Sequence, residues 1–120
     1  MRERGSAVVE FAIVLPLVLA VLAAGVEVVV LARTQLELVN AAREGARQAA
    51  TSPDPARAVA AAQEALGPEL GGRLRVTVER PAVVGQSATV HLRLQHRVAA
   101  PLLGGFTVEL RSRAVMRVER

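Results

Sequence analysis

The stretch that decides the fold is residues 6–32, SAVVEFAIVLPLVLAVLAAGVEVVVLA, which carries only two charges in 27 residues. Within it, residues 11–26 have no polar side chain. As a helix this stretch would be about 40 Å long, whereas the hydrocarbon core of a bilayer is about 30 Å thick. The rest of a 120-residue chain is too small to surround a helix that is apolar on every face. We therefore predict a transmembrane helix over residues 6–32.

The flanks of this helix bear on its processing and its orientation. A conventional secretory signal has a shorter apolar region, of about 7–15 residues, with a small-residue cleavage site behind it. A cut after Ala24 is the alternative on that reading, but the longer run favours a retained single-pass helix. A long C-terminal region translocates largely regardless of flanking charge. We therefore expect a cytoplasmic N-terminus, with Arg2 and Arg4, and an extracytoplasmic C-terminal region.

The helix is predicted to continue outside the membrane over residues 33–51, because nothing in that stretch breaks it. Pro16, inside the membrane part, should kink the helix or loosen a turn. Small residues at i,i+4 spacing, which allow another helix to approach closely, follow in two rows: Ala42, Ala46 and Ala50, and Ala41, Gly45 and Ala49. Gly45 indicates a close contact, since a mid-helix glycine costs about 1 kcal/mol relative to alanine.

Residues 52–120 are predicted to form a small extracytoplasmic head that starts with a second, short helix. Asp54 is a typical helix cap and Pro55 suits the first helical position. The residues expected on one face of this helix are Val59, Ala62, Gln63 and Leu66. Gly67 and Pro68 should end it.

Beyond Gly72 the apolar period changes from that of a helix to two, which is typical of half-buried strands. Three such strands are expected around residues 74–78, 90–94 and 106–116, with turns at 85–87 and 101–105. The simplest arrangement is a three-stranded antiparallel meander, covered by the second helix and by residues 33–51. The predicted fold class is therefore α+β, with a long N-terminal helix that lies half in the membrane.

Composition argues against catalysis and against several kinds of binding. The chain has no Cys, Trp or Tyr, and its basic residues are spread along the sequence rather than clustered. We therefore expect no nucleic-acid partner. His91 and His96 fall on opposite faces of one strand and cannot chelate one metal together. No convergent set of catalytic groups is visible, so we expect no enzyme activity, no cofactor or metal, and no small-molecule substrate.

Two sets of residues carry a resemblance to a known family. RGSAVVEF at residues 4–11, leading into the apolar helix, resembles a type IV prepilin processing site. Glu27 and the run NAAREGAR at residues 40–47 are similar to TadE-like pseudopilins of tight-adherence pilus systems. The ending AVMRVE at residues 114–119 is similar to the end of that family's small domain.

The resemblance implies a leader at residues 1–5, cut by a prepilin peptidase between Gly5 and Ser6. Glu10 then becomes the fifth residue of the mature chain, and its carboxylate can meet the new Ser6 ammonium of a neighbouring subunit. The alternative is a contact within one chain, since Ser6 and Glu10 are i,i+4 neighbours. Pairing the two removes the cost of burying either charge alone. The implied partners are other pilin or pseudopilin subunits, the peptidase and membrane lipid.

The function that follows is that of a non-catalytic structural subunit of a pilus or related secretion apparatus, with a role in adhesion. The alternative is a single-pass membrane-anchored binding module that does not enter a filament. The mature N-terminus separates the two, since the first requires Ser6 and the second fits an intact Met1 or a cut after Ala24.

Overall fold

The structure, a computed structural model, describes residues 2–98 and 104–119. In chain order it has three helices, α1 (Arg2–Thr51), α2 (Pro55–Leu66) and the short α3 (Pro68–Gly71). Three strands follow, β1 (Arg75–Glu79), β2 (Ser87–Val98) and β3 (Phe106–Arg117). They form one antiparallel sheet in the order β1-β2-β3. The predicted α+β fold with its antiparallel meander is therefore confirmed.

Helix α1 sets the dimensions of the molecule. Its 50 residues would extend about 75 Å at 1.5 Å per residue, and the whole chain measures 82 × 21 × 18 Å. The helix continues through Pro16 and ends at Thr51, where the sequence predicted its end. The kink or loosened turn predicted at Pro16 stays a prediction. The head therefore lies alongside the C-terminal part of a single rod and adds little to its length.

Helix α2 begins and ends where its sequence indicates, but its buried face differs slightly from the prediction. The carboxylate of Asp54 accepts a hydrogen bond from the Ala56 N–H at 3.0 Å, and Gly67 ends the helix with a φ of 95°. The buried residues are Ala58, Ala62 and Leu66. Val59 and Gln63, which we expected on that face, are only half-buried, and Ala58 is buried instead, so the buried face is rotated toward the i, i+4, i+8 row of Ala58, Ala62 and Leu66.

The short helix α3 was not predicted, and one glycine explains how it packs. A Cβ on Gly71 would lie 2.6 Å from the backbone oxygen of Gln63, closer than atoms can approach without moving. Only glycine lets α3 fold back against α2 at this distance. The chain then turns into Leu74, which is buried just before β1.

The core lies between the sheet and the two long helices. Even-numbered residues of β2 point toward the helices, and Val90, Leu92 and Leu94 are at most 1% exposed. They pack against Leu38 and the small residues of α1, together with Ala58 and Ala62 of α2. This is the two-layer arrangement that the sequence predicted.

Strand β3 extends beyond this core at both ends. Phe106 and Met116 share the inward parity of Leu110 and Ala114, yet they are 51% and 38% exposed. Of the turn predicted at residues 101–105, only Gly104 and Gly105 lie within the described residues, with φ values of 75° and 80°. The alternation of apolar and polar residues therefore predicted which way these side chains point, but not how much of β3 the helices cover.

Among the described residues, three hydrogen bonds join α1 to distant parts of the head. The Gln35 side-chain amide donates to the Arg111 carbonyl at 3.0 Å. Near the end of the helix, the Arg80 guanidinium donates to the Ala49 carbonyl at 2.7 Å, and the Glu119 N–H donates to the Ala50 carbonyl at 2.9 Å. The last two satisfy carbonyls that a helix end leaves without partners.

Candidate functional site

The largest functional feature is an apolar surface on α1 that the head does not cover. The large apolar side chains between Val8 and Leu22 are 42–70% exposed. One helix in the described part of the chain, α1, is long and apolar enough to cross a membrane, and none of its most apolar window is buried by other residues. A monomeric soluble protein rarely exposes a continuous apolar surface of this size. The surface therefore fits contact with lipid or with other helices.

The predicted processing residues lie at the start of this rod. Gly5 and Ser6 are exposed and belong to the first turns of α1, which begins at Arg2. A Cβ on Gly5 would meet nothing within 4 Å, so packing against the described residues does not require glycine there. Glu10 is exposed one turn above Ser6, and the i,i+4 spacing puts the two residues on the same face of the helix.

The second predicted carboxylate, Glu27, has different surroundings. It is half-buried, whereas Val26 and Val28 beside it are 64% and 65% exposed. Neither Glu10 nor Glu27 takes part in any of the ion pairs found among residues 2–98 and 104–119. The structure therefore separates the two carboxylates, with Glu10 on bare helix and Glu27 on the side that faces the head.

The predicted small-residue rows are filled by the chain itself. Ala42, Ala46 and Ala49 are at most 1% exposed. A Cβ on Gly45 would lie 3.3 Å from the Ala62 side chain and 3.3 Å from that of Val90. The helix that approaches closely is α2 of the same chain, and β2 completes the contact. These residues form the joint between rod and head, so they are not available to another subunit while the head is folded.

Sequence reasoning missed a basic row on the outer face of the sheet. Register places Arg75 opposite Arg93, and Arg93 opposite Arg111, so three arginines far apart in sequence lie side by side. Glu109 contacts two of them, Arg111 at 2.9 Å and Arg93 at 3.8 Å. Like charges directly opposite each other destabilise a sheet. The alternation of apolar and polar residues predicts that each arginine points outward, but only the pairing register of the strands brings the three together.

The described residues offer little for chemistry on a small molecule. They contain no group of three or more His, Cys, Asp and Glu side chains that could hold a metal ion. One shallow depression is lined by Gly67, Gly71 and Gly72 with Gln63 and Glu64, and a second lies over the backbone between His91 and Arg113. Neither brings together a nucleophile, a base and an oxyanion site.

Comparison with known families singles out the same rod. The model of the TadE-like protein family matches residues 5–47. The resemblance of this segment to TadE-like proteins is confirmed. The match contains Gly5, Ser6, Glu10 and Glu27 and ends within the small-residue rows, whereas α2, α3 and the sheet lie outside it. No curated protein and no solved structure matches the chain.

The match covers residues 5–47, and it suggests a link to tight-adherence type pilus systems. One long apolar helix near the N-terminus fits membrane anchoring. The similarity that we noted at residues 114–119 lies outside the matched segment and stays a prediction.

Proposed function

We propose that this chain is a non-catalytic pseudopilin or minor pilin subunit, anchored in the membrane by α1, that takes part in assembly of a tight-adherence type pilus or a related secretion apparatus. The observation that supports this most directly is the overlap of two features. The TadE-like match covers the same part of α1 whose apolar surface the head leaves exposed. The apolar part of the matched segment, from Val8 to Leu22, is exposed, so it is suited to contact with lipid first and with neighbouring subunits later.

The proposal includes cleavage between Gly5 and Ser6 by a prepilin peptidase. Both residues are exposed, but they lie in helical conformation near the start of α1. The peptide bond must leave that conformation to enter a peptidase site. Helix ends fray, and glycine weakens a helix by about 1 kcal/mol relative to alanine, so the first turns of α1 open at low cost. Gly5 thus assists cleavage through the backbone.

Glu10 has a role in this proposal only after cleavage. The new α-amino group of Ser6 carries a positive charge, and Glu10 is exposed on the same helix face one turn away. When helices pack side by side in the apolar interior of a filament, the carboxylate of one subunit pairs with the ammonium group of its neighbour. A buried pair of this kind sets axial register, and either charge alone would oppose packing.

The topology follows from the same arrangement. The N-terminus lies in the cytoplasm, α1 crosses the membrane, and the head from residue 52 onward is extracytoplasmic. The partners are other pilin or pseudopilin subunits, the prepilin peptidase and membrane lipid. The proposed role is non-catalytic, and the packed joint and sheet that the described residues of the head form are suited to a structural subunit.

The experiment that tests the proposal is determination of the mature N-terminus. The full chain, expressed with and without the prepilin peptidase of its own host, is recovered from membranes and its N-terminal peptide is identified by mass spectrometry. We expect Ser6 only when the peptidase is active. An intact Met1 under both conditions, or a cut after Ala24, would contradict the proposal and favour a membrane-anchored module outside the filament.

A second experiment isolates the carboxylate. Glu10→Gln keeps the size of the side chain but removes its charge, and Glu3→Gln is the matched control because Glu3 leaves with the leader. We expect both variants to insert in the membrane and to be cut. Only Glu10→Gln should lose incorporation into sheared pilus fractions. Equal incorporation of the two variants would show that Glu10 does not set register.

A further inference from the structure

The face of the sheet that lies opposite the helices is strongly basic. Even-numbered residues of β2 point toward the helices, so its odd-numbered residues point outward, together with their partners in β1 and β3. Within the described strands, six of these outward positions are arginines: Arg75, Arg93, Arg97, Arg111, Arg113 and Arg117. Two are glutamates, Glu79 and Glu109. This basic face therefore has an excess of four positive charges, which equals the formal net charge of +4 on the whole chain.

The centre of the basic face is a shallow depression between β2 and β3. Its lining includes Arg93, Arg111, Arg113 and His91. Arg75 continues the row on the other side of Arg93. Neighbouring strands are about 4.8 Å apart and alternate residues of one strand about 6.6 Å apart, so these five side chains start from one small area.

Little within the described chain neutralises this cluster. Glu109 contacts the Nε atoms of Arg111 at 2.9 Å and of Arg93 at 3.8 Å, so one carboxylate serves two guanidinium groups. Among residues 2–98 and 104–119, Arg75 and Arg113 take part in no ion pair. Like charges on directly opposite residues destabilise a sheet, so the folded head holds these arginines together against their repulsion. An anion bound between them would offset that repulsion.

The chemistry of the basic face favours phosphate groups over a protein partner. A guanidinium group presents paired, planar N–H donors that match the oxygens of a phosphate. Outward neighbours on β2 add hydroxyl and amide groups, from Ser87, Thr89 and Gln95. Val115 is the one apolar residue that points outward in the described strands. Stable protein interfaces have an apolar core, and a single valine does not provide one.

The aromatic content of the chain narrows the type of phosphate polymer. The sequence has no Trp or Tyr, and its two Phe residues lie elsewhere, Phe11 on α1 and Phe106 on the inward side of β3. Proteins that bind unpaired bases stack them on aromatic side chains. A face without Phe, Trp or Tyr offers no such support, whereas an acyclic phosphodiester chain needs none.

The basic face is also long and narrow. Arg97 lies at one end, and Arg117 lies at the other end, opposite Ser87. The ten residues of β2 between these levels extend about 33 Å, whereas three strands are only about 10 Å across. This shape fits a linear polymer better than a compact ligand.

The orientation of the basic face follows from how β3 lies along α1. Gln35 donates to the Arg111 carbonyl, and the Glu119 N–H donates to the Ala50 carbonyl. Between these contacts the helix advances about 22 Å and the strand about 26 Å, so the two run side by side with a moderate tilt. In the proposed topology the face therefore stands upright on the membrane. A flat bilayer reaches only its lower end, whereas a polymer can follow its whole length.

We propose that the basic face binds a linear, acyclic phosphodiester polymer of the poly(glycerol phosphate) type outside the cell. Successive phosphates pair with Arg75, Arg93, Arg111 and Arg113, and the depression between β2 and β3 holds one of them. Glu109 competes with the polymer for two of these arginines. The extracytoplasmic location of the partner rests on the proposed function, whereas binding itself depends on the folded head alone. Such binding gives the head a means of adhesion to an anionic surface.

A charge-matched pair of variants tests the site. Binding of a fluorescent poly(glycerol phosphate) to the full chain in a nonionic detergent is followed by anisotropy. Arg93→Gln and Arg57→Gln each remove one exposed arginine and lower the net charge equally, but Arg57 lies on α2, in the helix layer. We expect Arg93→Gln to weaken binding several-fold and Arg57→Gln to leave it unchanged. Equal losses, or no binding by the native chain, would overturn the proposal.

The dependence of affinity on salt counts the phosphates that are bound. For single-stranded polyanions each neutralised phosphate contributes about −0.7 to the slope of log affinity against log salt concentration. Four contacts predict a slope of about −2.8, or roughly a 50-fold loss of affinity between about 50 and 200 mM salt. Arg93→Gln should make the slope shallower by about 0.7, and Arg57→Gln should not. An unchanged slope in Arg93→Gln would contradict the assignment of that arginine.

A variant of opposite sign guards against loss of folding as the cause. Glu109→Gln removes the competing carboxylate and should tighten binding, which an unfolded head could not do. Glu44→Gln is its control, since Glu44 also contacts an arginine, Arg47, but lies on α1. Unchanged or weaker binding in Glu109→Gln would contradict the competition. Amide exchange in β2 shows whether each variant is folded.

Competition experiments identify the partner and separate this proposal from the proposed function. Unlabelled poly(glycerol phosphate) is compared with oligothymidylate, poly(glutamic acid) and phosphatidylglycerol micelles at equal concentrations of negative charge. We expect the glycerol phosphate polymer to compete most strongly. Stronger competition by another probe would overturn the choice of partner in favour of a nucleic acid, an acidic protein or a membrane. The N-terminus of the chain recovered from its own host is determined in parallel. Ser6 without polymer binding overturns this proposal alone, and an intact Met1 with binding retained contradicts the proposed function alone.

Discussion

The two halves of α1 contrast in a way that reverses the usual relation between hydrophobicity and burial. Below Glu27 the side chains are large and apolar, yet they are exposed. Above Thr34 the inward side chains are mostly alanine, and they are fully covered. In a soluble protein the larger apolar residues would form the core. The inversion shows that one helix serves two environments, with a small-residue joint for the head and an apolar rod for lipid or other helices.

Replacing one leucine by lysine in each half of α1 should produce the largest difference between the two halves. Leu38 is fully buried and Leu19 is 57% exposed. Leu38→Lys places an unpaired charge in the core and should unfold the head, with a loss on the order of 3–5 kcal/mol or more. Leu19→Lys should leave the head folded and weaken membrane insertion by about 2.5–3.5 kcal/mol. Hydrogen exchange of the β2 amides and membrane fractionation measure the two effects.

The contrast between the two halves would be contradicted if both leucine variants had the same effect on amide exchange in β2. If Leu19→Lys also raised exchange in β2, the lower half of α1 would contribute to the stability of the head. If Leu38→Lys left β2 protected, the packing of the sheet on the helix would be wrong.

Two glycines in the same helix give the next largest effect. A Cβ at Gly45 would have contacts at 3.3 Å on two sides, whereas one at Gly25 would meet nothing within 4 Å. Gly45→Leu should therefore force α2 and β2 away from α1 and cost about 1–3 kcal/mol through overpacking. Gly25→Leu should leave the thermal unfolding of the head unchanged. The check is the unfolding midpoint of both variants in the same detergent.

Gly45→Ala sharpens this prediction. Alanine gains about 1 kcal/mol in helix propensity, and the neighbours must give way by a few tenths of an ångström. We expect the two effects nearly to cancel, so the midpoint should move much less than for leucine. A midpoint for Gly45→Leu equal to that of the native chain would contradict the close contact.

The start of α2 should show a smaller effect that is confined to the head. Asp54→Ala removes the hydrogen bond to the Ala56 N–H and should lower the free energy of unfolding by about 1 kcal/mol. Asp54→Ser is the control, since serine caps helices nearly as well. Membrane association should be the same in both variants, because Asp54 lies after the end of α1 and far from its apolar surface. Equal losses in both variants would point to the charge rather than the cap.

The sequence predicted those parts of the fold whose signal is local. Asp54, Pro55 and Gly67 mark the ends of α2, and period-two alternation gives the three strands, because caps and pleats act through neighbouring residues. The glycine at position 45 predicted a close contact, but not that its partners are Ala62 and Val90. Which element packs against the small residues of α1 depends on the tertiary structure as a whole, and not on the local sequence.

The features that sequence could not supply depend on register between distant segments. Arg75, Arg93 and Arg111 are 18 residues apart at each step, and only strand pairing makes them neighbours. Likewise, the exposure of Phe106 follows from how far β3 extends past its cover, which alternation does not encode. The candidate site divides in the same way. Gly5 and Glu10 are readable from a motif, whereas the position of β3 along α1, shown by the bond from Gln35 to Arg111, is not.

The smallest effect should come from the hydrogen bond that joins the two halves. Gln35 donates to the Arg111 carbonyl just above the apolar run, and its side chain is only partly covered. Gln35→Ala should therefore lower the free energy of unfolding by about 0.5–1 kcal/mol, the low end for a hydrogen bond. Gln48→Ala is the matched control, since that glutamine is also half-buried in α1 and its side chain makes no hydrogen bond within residues 2–98 and 104–119.

This variant also tests how β3 is aligned along α1. Because Gln35 bonds to β3 far below the two contacts at the top of α1, its loss should raise amide exchange at the Phe106 end of β3 more than at the Arg117 end. Uniform exchange along β3 in Gln35→Ala would mean that the lower part of the sheet is positioned by lipid or by the packing of Leu31 instead of by this bond.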